Sequence, residues 1–255
     1  MKKRTCAFAI LAVAAVLAAP RSSDAQVKVI ISGGFTPPYQ EVLPEFERVT
    51  GIKVTTTPGM SQGDSPTTIA AQLRRGVPAD VVIMSREGLN DLMSEGRIVK
   101  GTDMDLAQTP LGLAVASRAP KPNITTVESF KTTLLRAKAI AFMPSTTGIY
   151  LTTKVFPRLG IADEMAKKSK TTGAAAVTTG DADLTMQPVS ELLHLQGIEY
   201  VGPVPTDVQY MSMFSAAVVA GSKQLDASKR LIAFLASDRS TGAIQTSGME
   251  RPKRR

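Results

Sequence analysis

Three short stretches rich in small hydroxyl residues and glycine stand where a β-rich run gives way to a helical one. They are Ser32-Gly33-Gly34-Phe35-Thr36, Asp64-Ser65-Pro66-Thr67-Thr68 and Ser145-Thr146-Thr147-Gly148. A helix start presents unpaired backbone N–H groups and the positive end of the peptide dipoles, and a glycine lets a ligand approach them closely. Such loops can bind an anion without lysine or arginine. Each loop alone is also explained by ordinary helix capping. An anion clamp stands beside that explanation because the three loops are distributed over both halves of the chain.

The other chemistry-bearing residues do not assemble a catalytic centre. The one histidine, His194, falls in a helical pattern from Glu191 to Leu195 that suits a helix-surface position, and the one cysteine, Cys6, is near the N-terminus. HExxH, SxxK, Walker and GxGxxG spacings are absent. The pairs Asp103/Asp105 and Asp181/Asp183 stand in polar segments that read as solvated turns. A secreted hydrolase or lyase would need a base or a metal cluster, so these residues point to a binding protein that is not an enzyme and uses no metal or cofactor.

The elements that position the loops alternate short β-rich runs with helical patterns, as in an α/β fold. Strands are expected at Val27 to Ser32, Ile52 to Thr57, Val81 to Met84, Leu111 to Ala116, Ala139 to Phe142, Asp183 to Met186 and Ile198 to Val201. The spacing predicts helices over Tyr39 to Thr50, Thr67 to Arg75, Glu87 to Ser94, Val127 to Ala137, Ile149 to Leu159, Ser190 to Leu195, Ala227 to Ala236 and Ser240 to Thr246. Thr36 is the expected cap of the first, and Pro44 its expected kink or reason for a late start. The apolar run Val208 to Ala220 reads as a strand crossing between two bodies. The chain thus leaves one α/β lobe near Thr109 and returns near Tyr210, giving lobe 1 over 26–108 and 211–255, lobe 2 over 109–210, and a cleft between them.

At 255 residues and 43% hydrophobic content the chain can bury the cores of two such lobes. Aromatic residues make up only 5% and tryptophan is absent, which excludes a base-stacking platform. The net charge of +8 is unevenly placed. Lys2, Lys3 and Arg4, an apolar stretch from Cys6 to Ala19 and the small residues before Gln26 form a cleavable secretory signal over 1–25. Its removal leaves a net charge of +5, most of it in the tail residues Arg251, Lys253, Arg254 and Arg255, and no cysteine. A nearly neutral, disulfide-free body fits a periplasmic protein with no nucleic-acid partner.

Phe46-Glu47-Arg48-Val49-Thr50-Gly51-Ile52-Lys53-Val54, then Arg75-Gly76-Val77-Pro78-Ala79-Asp80-Val81-Val82-Ile83-Met84-Ser85, then Gly148-Ile149-Tyr150 with Leu159-Gly160, resemble the periplasmic solute-binding proteins related to the molybdate-binding component of ABC importers. The resemblance runs from about Val27 to Met249. It implies the type II two-lobed fold with a double-crossing hinge, and a monomer that traps a small anion by backbone amides and hydroxyls. It also implies delivery of that anion to an ABC permease in the inner membrane. Gly34 stands where the molybdate binders have a contacting serine, with Ser32 two positions earlier; their second-loop serines fall near Ser65, Pro66 and Thr67, in a longer segment. Their second-lobe turn matches Thr146-Thr147-Gly148, and a donor tyrosine is replaced by Pro188, flanked by Gln187 and Ser190. The expected ligand contacts are therefore Ser32, Gly33, Gly34, Thr67, Thr147, Gly148, Gln187 and Ser190. The expected ligand is a molybdate- or tungstate-like oxyanion, with a small di- or tricarboxylate as the alternative. A regulatory version of the fold would carry a DNA-binding helix-turn-helix where this chain has a leader.

Overall fold

The computed structural model describes residues 26–253, so the leader expected over 1–25 and the last two arginines of the tail lie outside the described residues. The first unit is β1 (Gln26–Ser32), a 3-10 turn at Gly33–Phe35 and α1 (Thr36–Thr50). Tyr39, Val42 and Phe46 recur at helical spacing and are buried, which fixes the face α1 turns to the sheet. Thr36 is the first helical residue and not the cap, its hydroxyl donating to the Ser32 carbonyl at 3.2 Å. Pro37 and Pro38 sit in the first turn, where a missing N–H costs little. Pro44 does not end the helix: it and Gln40, whose carbonyl would have been its partner, are exposed. Gly51 closes α1 in the left-handed region at φ 71°.

Then come β2 (Lys53–Gly59), α2 (Ile69–Arg74), β3 (Val81–Ser85) and α3 (Arg86–Ser94). All five residues of β3 are buried, as a strand covered on both faces requires. Asp80, the acid just before β3, has a structural role: its carboxylate accepts from the Lys28 amide at 2.8 Å and the Ser222 hydroxyl at 2.6 Å, tying β1 to the segment after the last strand. Strand β4 (Met104–Ala116) is longer than expected and takes in Asp105. Asp103 and Asp105 are not solvated turn residues; both are ion-paired to Arg86 at the start of α3.

The second lobe contains α4 (Val127–Arg136), β5 (Ile140–Ala141), α5 (Thr146–Tyr150) and, after a π turn at Leu151–Val155, α6 (Phe156–Leu159). Next are α7 (Ala162–Lys168), β6 (Ser169–Lys170), α8 (Ala175–Thr178), β7 (Leu184–Pro188), α9 (Val189–Leu192) and β8 (Ile198–Pro203). A capping box of Thr126 and Ser129 starts α4. His194 is exposed just beyond α9. The chain returns through β9 (Met211–Val218) and ends with α10 (Leu225–Ala236) and α11 (Thr241–Thr246).

The strands run in the order β2-β1-β3-β9-β4-β7-β5-β6, with β8 also on β4. The first half of β4 pairs antiparallel with β9, and its second half pairs with β7 and β8. One strand therefore belongs to both sheets. Separate cores lie on either side: Phe35, Phe46, Phe214 and Phe234 anchor one, and Phe130, Phe142 and Phe156 the other. At the crossing Gln209 is fastened on all sides. Its Oε1 accepts from the Leu111 amide at 2.7 Å, and its Nε2 donates to the Leu111 and Val204 carbonyls at 3.1 Å each. Beside it Tyr150 stacks on Tyr210 at 4.8 Å, and the Tyr210 hydroxyl donates to Glu87 at 2.6 Å, joining hinge, second lobe and first lobe.

Candidate functional site

The carboxyl ends of β1, β2, β3 and β7 and the start of α5 converge between the lobes, where loops diverging from parallel strands leave a crevice. They enclose a cavity of about 340 Å³. Its hydroxyls are Ser32, Ser61, Ser85 and Ser212 from the first lobe and Ser145, Thr146 and Thr147 from the second. Pro58, Met60, Met143, Pro188 and Phe214 give it an apolar wall, and Gln187 and Glu191 complete the polar side.

The two lobes touch directly at its rim. The Ser85 and Thr146 hydroxyls are 2.9 Å apart, Thr146 donates to Gln62 Oε1 at 3.1 Å, and the Gln62 amide donates to Ser145 Oγ at 3.3 Å. Gly63 makes the approach sterically feasible: a Cβ there would stand 2.1 Å from the Pro144 carbonyl oxygen, and its φ of +103° also favours glycine. Ser61 Oγ accepts from the Ser85 amide at 2.9 Å, which steadies the first-lobe side. The buried Ser32 hydroxyl has no partner in the protein, and Ser145 makes no capping bond to the helix it precedes. These are groups a ligand can satisfy, because a desolvated donor without a partner costs about 1–3 kcal/mol.

Among the described residues, Glu191 is the only ionisable side chain lining the cavity. Gln187 orients it. The Ala174 amide donates to Gln187 Oε1 at 3.0 Å, which leaves Gln187 Nε2 to donate to Glu191 Oε2 at 2.5 Å. The other carboxylate oxygen faces the first lobe, 3.2 Å from where a Cβ on Gly33 would be. Glu191 retains some accessible surface because it opens on the cavity, yet lies deep enough in the protein that burial raises its pKa, with the Gln187 hydrogen bond opposing. Among the described residues, no lysine, arginine or histidine lines the cavity to offset that effect.

Of the residues expected from sequence, Ser32, Gly33, Thr147 and Gln187 line the cavity. Four do not. Gly34 is packed under Phe214, where a Cβ would lie 2.0 Å from the ring. Thr67 is exposed on the approach to α2, its hydroxyl 2.8 Å from that of Ser65. Gly148, within α5, abuts the Met143 carbonyl and does not line the cavity, and Ser190 is fully buried outside the cavity with an unpartnered hydroxyl. Sequence reasoning missed Ser61, Ser85, Ser212 and Glu191. Ser85 ends a parallel strand, a signal that could have placed it; Glu191 reads only as an acid complementing a helix start. Arg86, at the start of α3, is engaged by Asp103 and Asp105 and does not line the cavity.

Nothing in this set resembles a metal centre: among the described residues no group of three or more His, Cys, Asp or Glu could hold an ion. Nor, among them, is any helix long and apolar enough to cross a membrane. The family model for bacterial extracellular solute-binding proteins matches residues 27–250. A Pseudomonas protein named aconitate isomerase is 36% identical over 226 residues, 87% of this chain and 86% of that protein. The molybdate-binding protein of Azotobacter vinelandii is 25% identical over 252 residues, 94% of this chain and 95% of that protein. The solved structure of the periplasmic molybdate-binding protein of that organism superimposes with a TM-score of 0.71 at 16% identity, covering 89% of this chain and 100% of the other. With its two lobes and interlobe cavity, the chain belongs to the bacterial extracellular solute-binding proteins, in the type II periplasmic fold related to the molybdate binders.

Proposed function

We propose that this protein captures a small polycarboxylate in its interlobe cavity, with an unsaturated tricarboxylate of the aconitate kind as the favoured ligand. The observation that carries this reading is the lining. Neutral hydroxyls and an amide side chain face an apolar wall of methionine, proline and phenylalanine across about 340 Å³. That volume falls at the lower end of the range for small organic ligands, about 300 to 1,000 Å³. A compact tetrahedral oxyanion has no carbon skeleton to set against Met60, Met143 and Phe214, whereas a polycarboxylic acid has one. The Pseudomonas relative, named for an enzyme of aconitate, supports the same class. The oxyanion expected from the sequence becomes the competing ligand.

In this role the chain acts in the periplasm as a monomer, its lobes spanning 26–108 with 211–255 and 109–210, and passes its ligand to an ABC permease. The relative's name and the lone carboxyl at Glu191 favour a second reading, in which the bound acid is also isomerised.

Calorimetry and thermal melting with cis-aconitate, trans-aconitate, citrate, molybdate, tungstate and sulfate test the ligand class. A ligand at 100 times its Kd adds about 2.7 kcal/mol of stability. In a protein of this size that raises Tm by roughly 5–11 °C. Such a shift with a tricarboxylate and none with the inorganic anions is the expected result; the reverse would replace the carboxylate with an oxyanion.

A further inference from the structure

We infer that Glu191 is a catalytic acid–base that carries a proton between two carbons of the bound unsaturated acid. The inference rests on the polycarboxylate reading and goes beyond it, from holding the ligand to changing it.

A pure anion binder gains nothing from a carboxyl in its cavity. Ionised, it repels the ligand across a medium that screens poorly. A glutamine would donate in its place without that cost. Yet Glu191 is aimed by a purpose-held Gln187, with Gly33 leaving room for its second oxygen, and no cation faces it in the cavity. An acid kept unpaired, oriented and open to the ligand suits proton transfer, since an efficient general base has its pKa brought toward the working pH. The direction in which burial moves Glu191 agrees with that requirement.

The chemistry needs no other reactant. In a propene tricarboxylate the methylene group lies between a carboxylate and the double bond, so its C–H bond is the acidic one. Glu191 takes that proton, and the electron pair left behind spreads over three carbons and into the attached carboxylates. The former double bond becomes free to rotate. Glu191, now a neutral acid, returns the proton to the carbon at the other end of the three-carbon unit. One C–H bond has broken and one has formed, the double bond has moved by one position, and nothing is oxidised or reduced. Ser32, Ser145 and Thr147 from opposite lobes line the same cavity and can donate to the carboxylates where charge accumulates.

The test is proton NMR of cis-aconitate with the protein in D₂O, read together with calorimetry. The wild-type protein is expected to convert the acid to its trans isomer and to incorporate deuterium at the exchanging carbons. Glu191→Gln, nearly the same size, is expected to keep binding within a few-fold while exchange and conversion fall by at least about 100-fold, the lower end for a general base. Binding by the wild type without exchange or conversion would overturn the role of Glu191 and leave the ligand reading standing. Absence of tricarboxylate binding would remove both. Exchange that persists in Glu191→Gln would overturn the assignment to this residue. Should that variant lose binding, Glu191→Asp decides: measurable exchange supports the inference, and none above the Glu191→Gln level overturns it.

Discussion

Gly148→Ala offers a test of how the second-lobe loop is positioned, with a magnitude that follows from local geometry. A Cβ at Gly148 would sit 2.4 Å from the Met143 carbonyl oxygen and 3.0 Å from Phe142 Cδ2. The first contact is with backbone, so relief requires moving the strand-to-helix loop that carries Met143 and Ser145 into the cavity. Overpacking of this kind costs about 1–3 kcal/mol. For a protein of this size the expected fall in Tm is roughly 2–12 °C. Gly242→Ala is the matched control: it lies in α11, is exposed, and its Cβ would meet nothing within 4 Å. There the loss of backbone freedom in the unfolded chain should stabilise by about 0.4–1 kcal/mol. Melting and urea titration of both variants at one pH read the two signs, and ligand affinity should fall only for Gly148→Ala. A Gly148→Ala protein as stable as wild type would refute the claim that this glycine spaces the loop from Met143.

Three further changes probe the hinge, the closure and the buried acid. Gln209→Ala removes the side chain that holds Leu111 and Val204 at the crossing, and should cost about 1–3 kcal/mol in urea unfolding. An unchanged midpoint would mean that β4 and β9 alone secure the crossing. Ser85→Ala deletes the contact with Thr146 and should weaken ligand binding by roughly five-fold, the equivalent of about 1 kcal/mol of closed-state stability. Equal affinity would show that this contact does not favour closure. For Glu191 the raised pKa sets the sign: the folded protein holds that proton more tightly than the unfolded chain, whose glutamate titrates near 4.5. Its contribution is therefore fully present below that value and lost as pH rises through the folded pKa. The ligand-free protein should lose Tm relative to Glu191→Gln over that interval, and parallel melting curves would contradict the burial of this acid. The elements packed most closely on α9 carry three other ionisable groups: Asp105, paired with Arg86; Glu199, paired with Lys121; and Tyr200.

The alternation of strand and helix signals was legible because it depends on residues within a few positions, as do the caps at Ser85 and Thr126 and the stop at Gly51. The family motifs were equally local, and the Asp80 segment proved to be a tie between β1 and the chain after β9. Helix boundaries shifted where prolines were met by the exposed side of α1, a matter of which face packs. Residues of two of the small-residue loops border the cavity, but composition alone does not tell which of them line it. Thr67 and Gly148 have the composition of ligand contacts, yet one is exposed to solvent and the other abuts the Met143 carbonyl. Ser61, Ser212 and Glu191 come from segments far apart in the chain and meet only because β4 and β9 bring the two lobes face to face. Sequence alone thus determined the α/β elements and the small, hydroxyl-rich character of the strand-to-helix loops, since both are set by neighbours along the chain. Only the tertiary structure decided which hydroxyls face the cavity and that, among the described residues, Glu191 stands with them as the one carboxyl and no cation beside it, because burial and charge pairing depend on groups brought together across the cleft.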